Sequence, residues 1–321
     1  MNVTLQEIAQ KLKKAKKVAL FTHMRPDGDA YGSTLALACA LDRQGIACSV
    51  CNESDVPSNL TFLEGLDRIK KHPDGDEDLY LSMDSAEGAR LGALADVFLA
   101  FSKKGTTINV DHHISNTRYA KYNYVQTCSA NCMNSYRLIE ELGVSLDRQI
   151  ATYLLVGLLT DSGNFSHDDV TEETLAVGSK LVAAGADICG LQYQLFKKQS
   201  KARAALYAKV MSGLRYAHDD RFAFVVIDRE TMEKVGADNG ATEGFVDFPL
   251  NIETVEIAAS LLEMKKGQYK VSLRSKKYAD VNKLAAVYGG GGHVRAAGCM
   301  LFGDLEEIID KLSYTVSQYL E

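Results

Sequence analysis

Short apolar segments rich in β-branched residues alternate with longer segments of helical periodicity through the first 160 residues. We predict strands at residues 18–22, 46–51, 79–83 and 106–110, and helices at 33–44, 132–142 and 149–160, the first of them capped by Ser33. Strands separated by helices pair in parallel, because each crossover returns the chain to the same edge of the sheet. The alternation therefore predicts an α/β fold, with a parallel sheet between flanking helices.

The pattern changes near residue 190, where a polar and basic segment of helical propensity begins. Further on we predict strands at 222–227, 255–262 and 269–273 and helices at 281–288 and 305–319, which together form a smaller α+β domain. A chain of 321 residues is long enough for two domains. We place the first domain at residues 1–190, a helical connector at 191–210 and the second domain at 211–321.

Composition excludes several classes of protein. The chain has 46% hydrophobic residues and a net charge of −6, so it can bury a core, and its surface does not attract long duplex nucleic acid or an anionic membrane. Any polyanionic substrate would be short. The chain shows no apolar run of membrane-spanning length and no secretory signal, and its seven cysteines are an odd number that favours reduced thiols, so we predict a cytoplasmic protein. Cys48 and Cys51 lie on a predicted strand and face opposite sides of it, which disfavours a zinc or redox site.

Five of the seven histidines lie in clusters rich in aspartate or glycine, namely His23, His112, His113, His167 and His293. Three acidic clusters directly follow predicted strands, at residues 23–33, 84–87 and 111–113, and a fourth, at residues 160–165, ends a predicted helix. In open α/β sheets, ligands bind at the carboxyl ends of the strands. We therefore expect the four clusters to converge, with two carboxylates of the first cluster meeting in one tight loop.

Carboxylates that meet in one pocket repel each other unless cations hold them together. The donors here are the carboxylates and imidazoles Asp27, Asp29, Asp84, Asp161, His23 and His112. Oxygen-rich donors favour manganese or magnesium over structural zinc, and six ligands suggest two ions that share one carboxylate. Such sites typically hydrolyse phosphate esters. Taken singly, each motif could also be a surface turn or a solvated loop end.

The second domain contains a glycine run at residues 289–292, followed by His293 and Arg295. Glycines let main-chain N–H groups approach an anion closely, so this segment could cradle a phosphate, although a flexible turn is the alternative. On the preceding strand, Arg274 shares a face with Ser272 and Lys276. Arg274 could pair with a phosphate, or this face could simply be solvated.

Four motifs in this order, HMRPDGD, MDS, DHH and TDSGNF, followed by GGGGHVRAAG, resemble the DHH phosphoesterase superfamily with a DHHA1 C-terminal domain. Within that superfamily the chain is most similar to the NrnA-type oligoribonucleases. The resemblance implies a bifunctional enzyme of the 3′–5′ type. It would degrade short RNA oligonucleotides (nanoRNA) to mononucleotides and dephosphorylate 3′-phosphoadenosine 5′-phosphate (pAp), with its active site in the cleft between the two domains.

The resemblance also implies roles for individual residues. One manganese would be held by His23, Asp27 and Asp84, and a second by Asp29, Asp84, His112 and Asp161, with magnesium or cobalt as alternative ions. Asp84 would bridge the ions, His113 would face the substrate and Asp111 would support it. The positions implied for substrate binding are Arg274, Ser275, Gly291, Gly292, His293 and Arg295.

Several alternatives stay open at this point. Cyclic dinucleotides or their linear products could be the main substrates, and a non-enzymatic nucleotide sensor is the alternative of another class, although no metal ligand is missing. Family members often have threonine at position 162 and a basic residue after the phenylalanine, where this chain has Ser162 and, after Phe165, Ser166 and His167. This departure leaves the preferred substrate length open. A homodimer is also compatible with the sequence.

Overall fold

The computed structural model describes residues 1–320 and divides the chain into two compact units, Met1–Lys198 and Gln199–Glu321. The segment predicted as a connector contains the end of a short helix, a π-helical turn at Tyr193–Lys197 and most of the first helix of the second unit. Each unit has its own sheet and its own hydrophobic core.

The first unit consists of six strands and seven α-helices within the described residues. The strands are β1 (Lys17–Thr22), β2 (Ala47–Cys51), β3 (Ile69–Lys70), β4 (Leu79–Met83), β5 (Thr106–Asp111) and β6 (Tyr122–Val125). The helices are α1 (Leu5–Lys14), α2 (Gly28–Arg43), α3 (Ala95–Phe101), α4 (Asn131–Leu142), α5 (Arg148–Asp161), α6 (Glu172–Ala183) and α7 (Ile188–Gln192). Short 3₁₀ segments lie at Ser58–Leu60, Leu66–Arg68 and Gly88–Leu94.

The strands of the first unit form one parallel sheet in the order β3-β2-β1-β4-β5-β6, which confirms the predicted α/β fold. The strand order reverses between β1 and β4, and Thr22 of β1 is paired with Met83 of β4, which is paired with Val110 of β5. The residues that follow these three strands therefore start from the same edge of the sheet. Helices α2, α4 and α5 pack together against one sheet face in a large apolar core, and α3 packs against an aromatic cluster on the other face.

The second unit also contains a six-stranded sheet, in the order β11-β12-β10-β9-β8-β7. Its strands are β7 (Arg215–Ala217), β8 (Phe222–Ile227), β9 (Ile257–Lys265), β10 (Gln268–Ser275), β11 (Gly291–His293) and β12 (Ala296–Phe302). Its helices are α8 (Lys201–Ser212), α9 (Arg229–Val235), α10 (Asp247–Leu250), α11 (Val281–Ala286) and α12 (Leu305–Ser317), with a 3₁₀ segment at Asn239–Thr242. All strand pairs are antiparallel except β8 with β9. One sheet face packs on α11 and α12 and the opposite face of β8 and β9 on α8 to α10, as expected for an α+β domain.

No single helix within residues 1–320 has both the length and the apolarity needed to cross a membrane. Glu172–Ala183 and Ile188–Lys197 reach that length only when they are counted together, and the chain bends by 114° between them.

Candidate active site

The centre of the candidate site is Asp84, the first residue after β4. Its carboxylate is buried, with Oδ2 3.6 Å from Nε2 of His23 and Oδ1 3.3 Å from Nε2 of His112. The Asp84 backbone has a φ of 54°, in the left-handed region that a residue other than glycine seldom adopts. Oδ1 is buried and has no hydrogen-bond partner within the described residues. A buried, unsatisfied carboxylate oxygen between two imidazoles is the donor that a cation would bind.

The two imidazoles are oriented by backbone carbonyls. Nδ1 of His23 lies 2.9 Å from the carbonyl oxygen of Met24, and Nδ1 of His112 lies 2.9 Å from that of Cys128. A carbonyl oxygen only accepts, so each Nδ1 carries the hydrogen and each Nε2 presents a lone pair towards Asp84 when the ring is neutral. Histidines that bind metal ions are oriented by this kind of hydrogen bond.

Asp27 lies at a helix start and not in the tight loop that the sequence predicted. Helix α2 begins at Gly28, five residues earlier than expected, because Oδ1 of Asp27 accepts hydrogen bonds from the backbone N–H groups of Asp29 and Ala30 and caps the helix. Ser33, the predicted cap, is buried inside α2. The second carboxylate oxygen of Asp27 remains 3.8 Å from Nε2 of His23. Asp27 therefore caps a helix and faces the site at the same time.

Asp29, in the first turn of α2, is fully buried and joins this helix to α4. Its two oxygens accept hydrogen bonds from the backbone N–H groups of Asn131 and Cys132, the second at 2.8 Å. These N–H groups are unpaired within α4 because they belong to its first turn. The close approach requires Gly157 of α5, since a Cβ there would lie 2.6 Å from Oδ1 of Asp29.

Asp161 is the last residue of α5, and its Oδ2 lies 3.4 Å from Nε2 of His112. Three consecutive residues in the left-handed region, Gly163 to Phe165, turn the chain directly after it. The ring of His167 folds back over this turn, with Nδ1 2.8 Å from the Asp161 carbonyl oxygen. The segment in which the chain departs from the family pattern therefore supports the backbone of a proposed metal ligand.

Three overlapping groups of side chains at this site have ligand atoms close enough together to hold a metal ion, with all ligand atoms of a group within 4.8 Å of one another. They consist of His23, Asp27 and Asp84, of Asp29, His112 and Asp161, and of Asp84, His112 and His113. The first group is one of the ligand sets that the resemblance implies, and the second lacks only Asp84, whose Oδ1 lies 3.3 Å from Nε2 of His112. The structure thus brings together all six predicted metal ligands.

The electrostatics of the cluster show an excess of negative charge. Burial and the neighbouring Asp84 carboxylate raise the pKa of Asp29 to about 7, and burial with the charges of Asp29 and Asp84 raises the pKa of Asp161 to about 8. Burial opposes protonation of His112, but the adjacent Asp84 carboxylate and the charge of Asp29 outweigh it and raise the pKa of His112 to about 11. Without other cations, protons must balance the carboxylates, and divalent ions would take their place.

His113 lies beside these groups and is held by a different partner. Its Nδ1 lies 2.8 Å from Oδ1 of Asp111, which is fully buried, and the hydrogen bond with Asp111 raises the pKa of His113. Oδ2 of Asp111 accepts a 2.6 Å hydrogen bond from Nδ2 of Asn116. No motif in the sequence points to Asn116, although it stands only three residues after His113.

The predicted substrate-binding residues lie in the second unit. Gly291, Gly292 and His293 are exposed and form β11, which pairs with β12 as a short hairpin and not as the loop that the sequence predicted. Arg274 is partly exposed on β10, and its Nε lies 3.6 Å from Oδ1 of Asp247. These four residues remain available to a ligand.

Ser275 and Arg295 are used by the fold of the second unit. Ser275 is buried, and its hydroxyl donates to the carbonyl oxygen of Ala279. The guanidinium of Arg295 donates to the carbonyl oxygens of Ala279, at 2.8 Å, and Lys277. Both side chains therefore hold the turn after β10, and because Arg295 is also exposed, its role in substrate binding stays a prediction, as does that of Ser275.

Comparison with known proteins gives consistent matches. The family model "DHH family, N-terminal domain" matches residues 17–158, and the model "DHHA1 domain" matches residues 219–320. A Thermus thermophilus protein named "Bifunctional oligoribonuclease and PAP phosphatase NrnA" is 32% identical over 98% of this chain and 93% of its own. The Bacillus subtilis protein of the same name is 25% identical over 89% of each chain. A crystal structure described as an exopolyphosphatase-related protein from Bacteroides fragilis is 26% identical, with a TM-score of 0.88 over 98% of this chain and 96% of that one.

Proposed function

The chain belongs to the DHH family of phosphoesterases and has a DHHA1 domain, and on this basis we propose that it hydrolyses nanoRNA to nucleoside monophosphates and dephosphorylates pAp. The family and the named relatives identify the protein as a phosphodiesterase or phosphatase. The choice of substrate is our proposal, and two relatives that carry both activities in their name support it.

The observation that carries the proposal is the buried carboxylate of Asp84, which lies between His23 and His112 and whose Oδ1 has no hydrogen-bond partner among the described residues. A structural ion pair would satisfy both oxygens, whereas a site built for cations leaves them open. The three strand ends that position these residues form the edge at which α/β proteins bind ligands.

We propose that the site holds two divalent ions, with manganese first and magnesium or cobalt as alternatives. One would be held by His23, Asp27 and Asp84 and the other by Asp29, Asp84, His112 and Asp161. Ions bound there would stabilise charge on the phosphoryl oxygens and make a water molecule more acidic. Carboxylates with imidazoles suit manganese, and both ligand groups consist of aspartate and histidine without cysteine, which disfavours structural zinc.

We propose that His113, held by Asp111, transfers the proton that the leaving group needs. Asp111 holds the Nδ1–H of His113, which leaves Nε2 free and favours the protonated ring. Nε2 can then donate its proton to the leaving 3′-oxygen as the P–O bond breaks. Because Asp111 is buried and fixed by Asn116, the ring keeps this orientation without substrate.

In the second unit, Arg274 and the exposed backbone of Gly291 and Gly292, with His293, would bind a terminal phosphate or nucleotide. A guanidinium and main-chain N–H groups are the donors that phosphates prefer. Local binding of this kind agrees with the net charge of −6, which disfavours long nucleic acid. We also propose a cytoplasmic location, because short RNA and pAp are products of intracellular metabolism.

The test is mononucleotide release from a 5′-phosphorylated RNA trimer, measured with manganese, with magnesium and with EDTA, beside phosphate release from pAp. Asp84→Asn should lower both rates at least about a thousandfold while the circular dichroism spectrum is kept. Asp55→Asn is the matched control, since this carboxylate is fully exposed and pairs with Lys71 on the surface.

Three outcomes would contradict the proposal. Activity that EDTA does not abolish, or that Asp84→Asn retains, would reject the metal site. Turnover of cyclic or linear dinucleotides with no release from the trimer or from pAp would favour the alternative phosphodiesterase. Tight binding of pAp without turnover, in protein shown to hold two ions, would favour a nucleotide sensor.

A further inference from the structure

The second unit has a groove at the edge of its sheet whose lining contains, among the proposed substrate-binding residues, only Gly291. This edge groove has a volume of about 610 Å³, and its walls include Lys270, Tyr288, Met300 and Phe302. Gly289 to Gly291 and Gly298 form part of its lining. It lies wholly within the second unit.

The strand register places Lys270, in the wall of the groove, on the same sheet face as Arg274. On β10 the odd-numbered residues are buried, so Lys270, Ser272 and Arg274 share the opposite face. Lys270 is paired with Met300 of β12, and Arg274 is four residues further along β10, or about 13–14 Å at roughly 3.4 Å per residue. The two cations therefore lie on one sheet face, in line along one strand.

In the described part of the chain, helices cover this sheet face at β9 but not at the end of β12. Leu262 of β9 is buried in the cluster formed with α8 and α9, whereas Phe302 at the end of β12 is 68% exposed. The hairpin strand β11 pairs with β12 only as far as Gly298, so β12 beyond it has no strand partner on that side within residues 1–320. The ammonium of Lys270 makes no ion pair in this same described part of the chain.

Glycines line the floor of the groove, where a larger residue would not fit. A Cβ at Gly298 would lie 2.9 Å from the carbonyl oxygen of Val271, and one at Gly290 would overlap the carbonyl oxygen of Gly298. The wall at Tyr288 is fixed, because its hydroxyl bonds with Thr315 and with the carbonyl oxygen of Lys311 at 3.0 Å. The glycine floor of the groove is therefore set by the backbone, and its Tyr288 wall is held by hydrogen bonds to α12.

We propose that the edge groove binds a further nucleotide of a short single-stranded RNA, with the base stacked on Phe302 and a backbone phosphate paired with Lys270. An exposed aromatic ring beside an unpaired cation is the arrangement by which proteins hold single strands without reading their sequence. The proposal rests on the proposed function and deepens it. RNA long enough to reach from Arg274 to Lys270 gains these contacts, whereas pAp does not.

The first experiment measures binding without catalysis. The full chain in EDTA is titrated into a fluorescently labelled RNA pentamer, and anisotropy gives the affinity. Phe302→Ala should weaken binding about tenfold and Lys270→Gln about threefold at low salt, since loss of one stacked base costs about 1–3 kcal/mol. Tyr314→Ala and Lys311→Gln are matched controls, because both residues lie on α12 outside the groove and should leave the affinity unchanged.

The second experiment compares substrates with the metal-loaded enzyme. The ratio of kcat/KM for the pentamer to kcat/KM for pAp should fall about tenfold in Phe302→Ala, through KM for the pentamer. If wild-type protein cleaves neither substrate but binds the pentamer through Phe302, the proposed function fails and the groove stands. If it cleaves both and Phe302→Ala changes neither affinity nor ratio, the groove proposal fails alone.

One further outcome overturns the proposal. The open edge of β12 could instead pair with a second copy of this chain. Wild-type protein that is dimeric by light scattering, with Phe302→Ala monomeric and equal to wild type in pentamer affinity, would assign the groove to an interface between copies.

Discussion

Asn116 connects His113 to the interior of the first unit. Its Nδ2 donates to Oδ2 of Asp111 at 2.6 Å and to Oδ1 of Asn109 at 2.8 Å, and Asp111 in turn holds His113. Removing this amide leaves a buried carboxylate oxygen without its donor. We expect Asn116→Ala to lower kcat about 10–100-fold, the range found for residues that orient functional groups, with KM and metal affinity within about twofold of wild type.

Calorimetric titration with manganese and steady-state kinetics on the RNA trimer check this expectation together. Asn116→Asp is a useful companion, because it keeps the volume and places a second carboxylate against Asp111. A parallel loss of metal affinity and kcat would mean that Asn116 supports the whole site, and would contradict a role confined to His113.

Stability should depend on pH in a direction set by the buried carboxyl groups. Folding raises the pKa of Asp29 from 3.8 to about 7 and that of Asp161 from 3.8 to about 8. Between about pH 6 and 8 the unfolded state therefore binds fewer protons at these two groups than the folded state does, so stability falls as pH rises. His112 acts in the same direction, because its raised pKa stabilises the fold fully below 6.5 and progressively less above it. The lowered pKa of Asp84 matters only in acid, where its contribution is lost.

We therefore expect Tm in EDTA to be lower at pH 8 than at pH 6. In a unit of this size, each kcal/mol lost from the free energy of unfolding lowers Tm by roughly 3 °C. Manganese binds the ionised carboxylates, so it should raise Tm more at pH 8 than at pH 6. Differential scanning fluorimetry at both pH values, with and without the ion, is sufficient. A larger metal effect at pH 6 would contradict this account of the cluster.

At the scale of elements, the start of α2 combines two functions that substitutions can separate. Asparagine caps helices about as well as aspartate, while alanine cannot cap. In EDTA we expect Asp27→Ala to be about 1 kcal/mol less stable than Asp27→Asn, because both remove the charge and only alanine removes the cap. With manganese, both variants should lose at least about tenfold in affinity, since both remove an ionised ligand. Urea unfolding and calorimetric titration give the two quantities, and equal stability of the variants would show that the cap contributes nothing.

The elements show which features the sequence could predict. Strands β1, β4 and β5 were located within one residue, because they are apolar on both faces and are followed at once by polar clusters. Strand β6 was missed because Tyr122–Val125 is only partly buried and has no apolar run. The start of α2 was misplaced because Asp-Gly-Asp is typical of a turn, whereas the Asp27 carboxylate caps the helix and makes the same residues its first turn.

The residues that could carry the chemistry were easier to predict from the sequence than the groups that hold and orient them. The six proposed metal ligands could be singled out because histidines and aspartates that cluster at strand ends seldom serve the fold alone. The carbonyls of Met24 and Cys128, which orient the imidazoles, could not be identified, because any residue has a carbonyl and only the tertiary fold selects which one faces a ring. The hydrogen-bond partners of Ser275 and Arg295 could not be predicted for the same reason, since they are the backbone of a turn that the sequence does not reveal.

At the scale of the whole molecule, the two units differ in what a metal ion can stabilise. All six proposed ligands lie in Met1–Lys198, at the ends of elements that share one core, and the cores of Gln199–Glu321 contain none of them. An ion that binds only the folded form lowers the population of open states for the segments that hold it. Hydrogen exchange should therefore slow in manganese at residues 17–30, 79–87, 106–113 and 150–165, by at least about tenfold for an ion at roughly ten times its dissociation constant.

The same measurement should leave the buried strands β9 and β10 of the second unit unchanged, whereas the RNA pentamer in EDTA should slow exchange at β12 and the glycine run before it. The two ligands would then mark separate units of one chain. Slowing of β9 and β10 by manganese alone would contradict this separation, because it would require the two units to open as one cooperative structure. If manganese no longer slows hydrogen exchange in Asp84→Asn but still slows it in Asp55→Asn, the protection comes from the Asp84 carboxylate and not from general screening of charge.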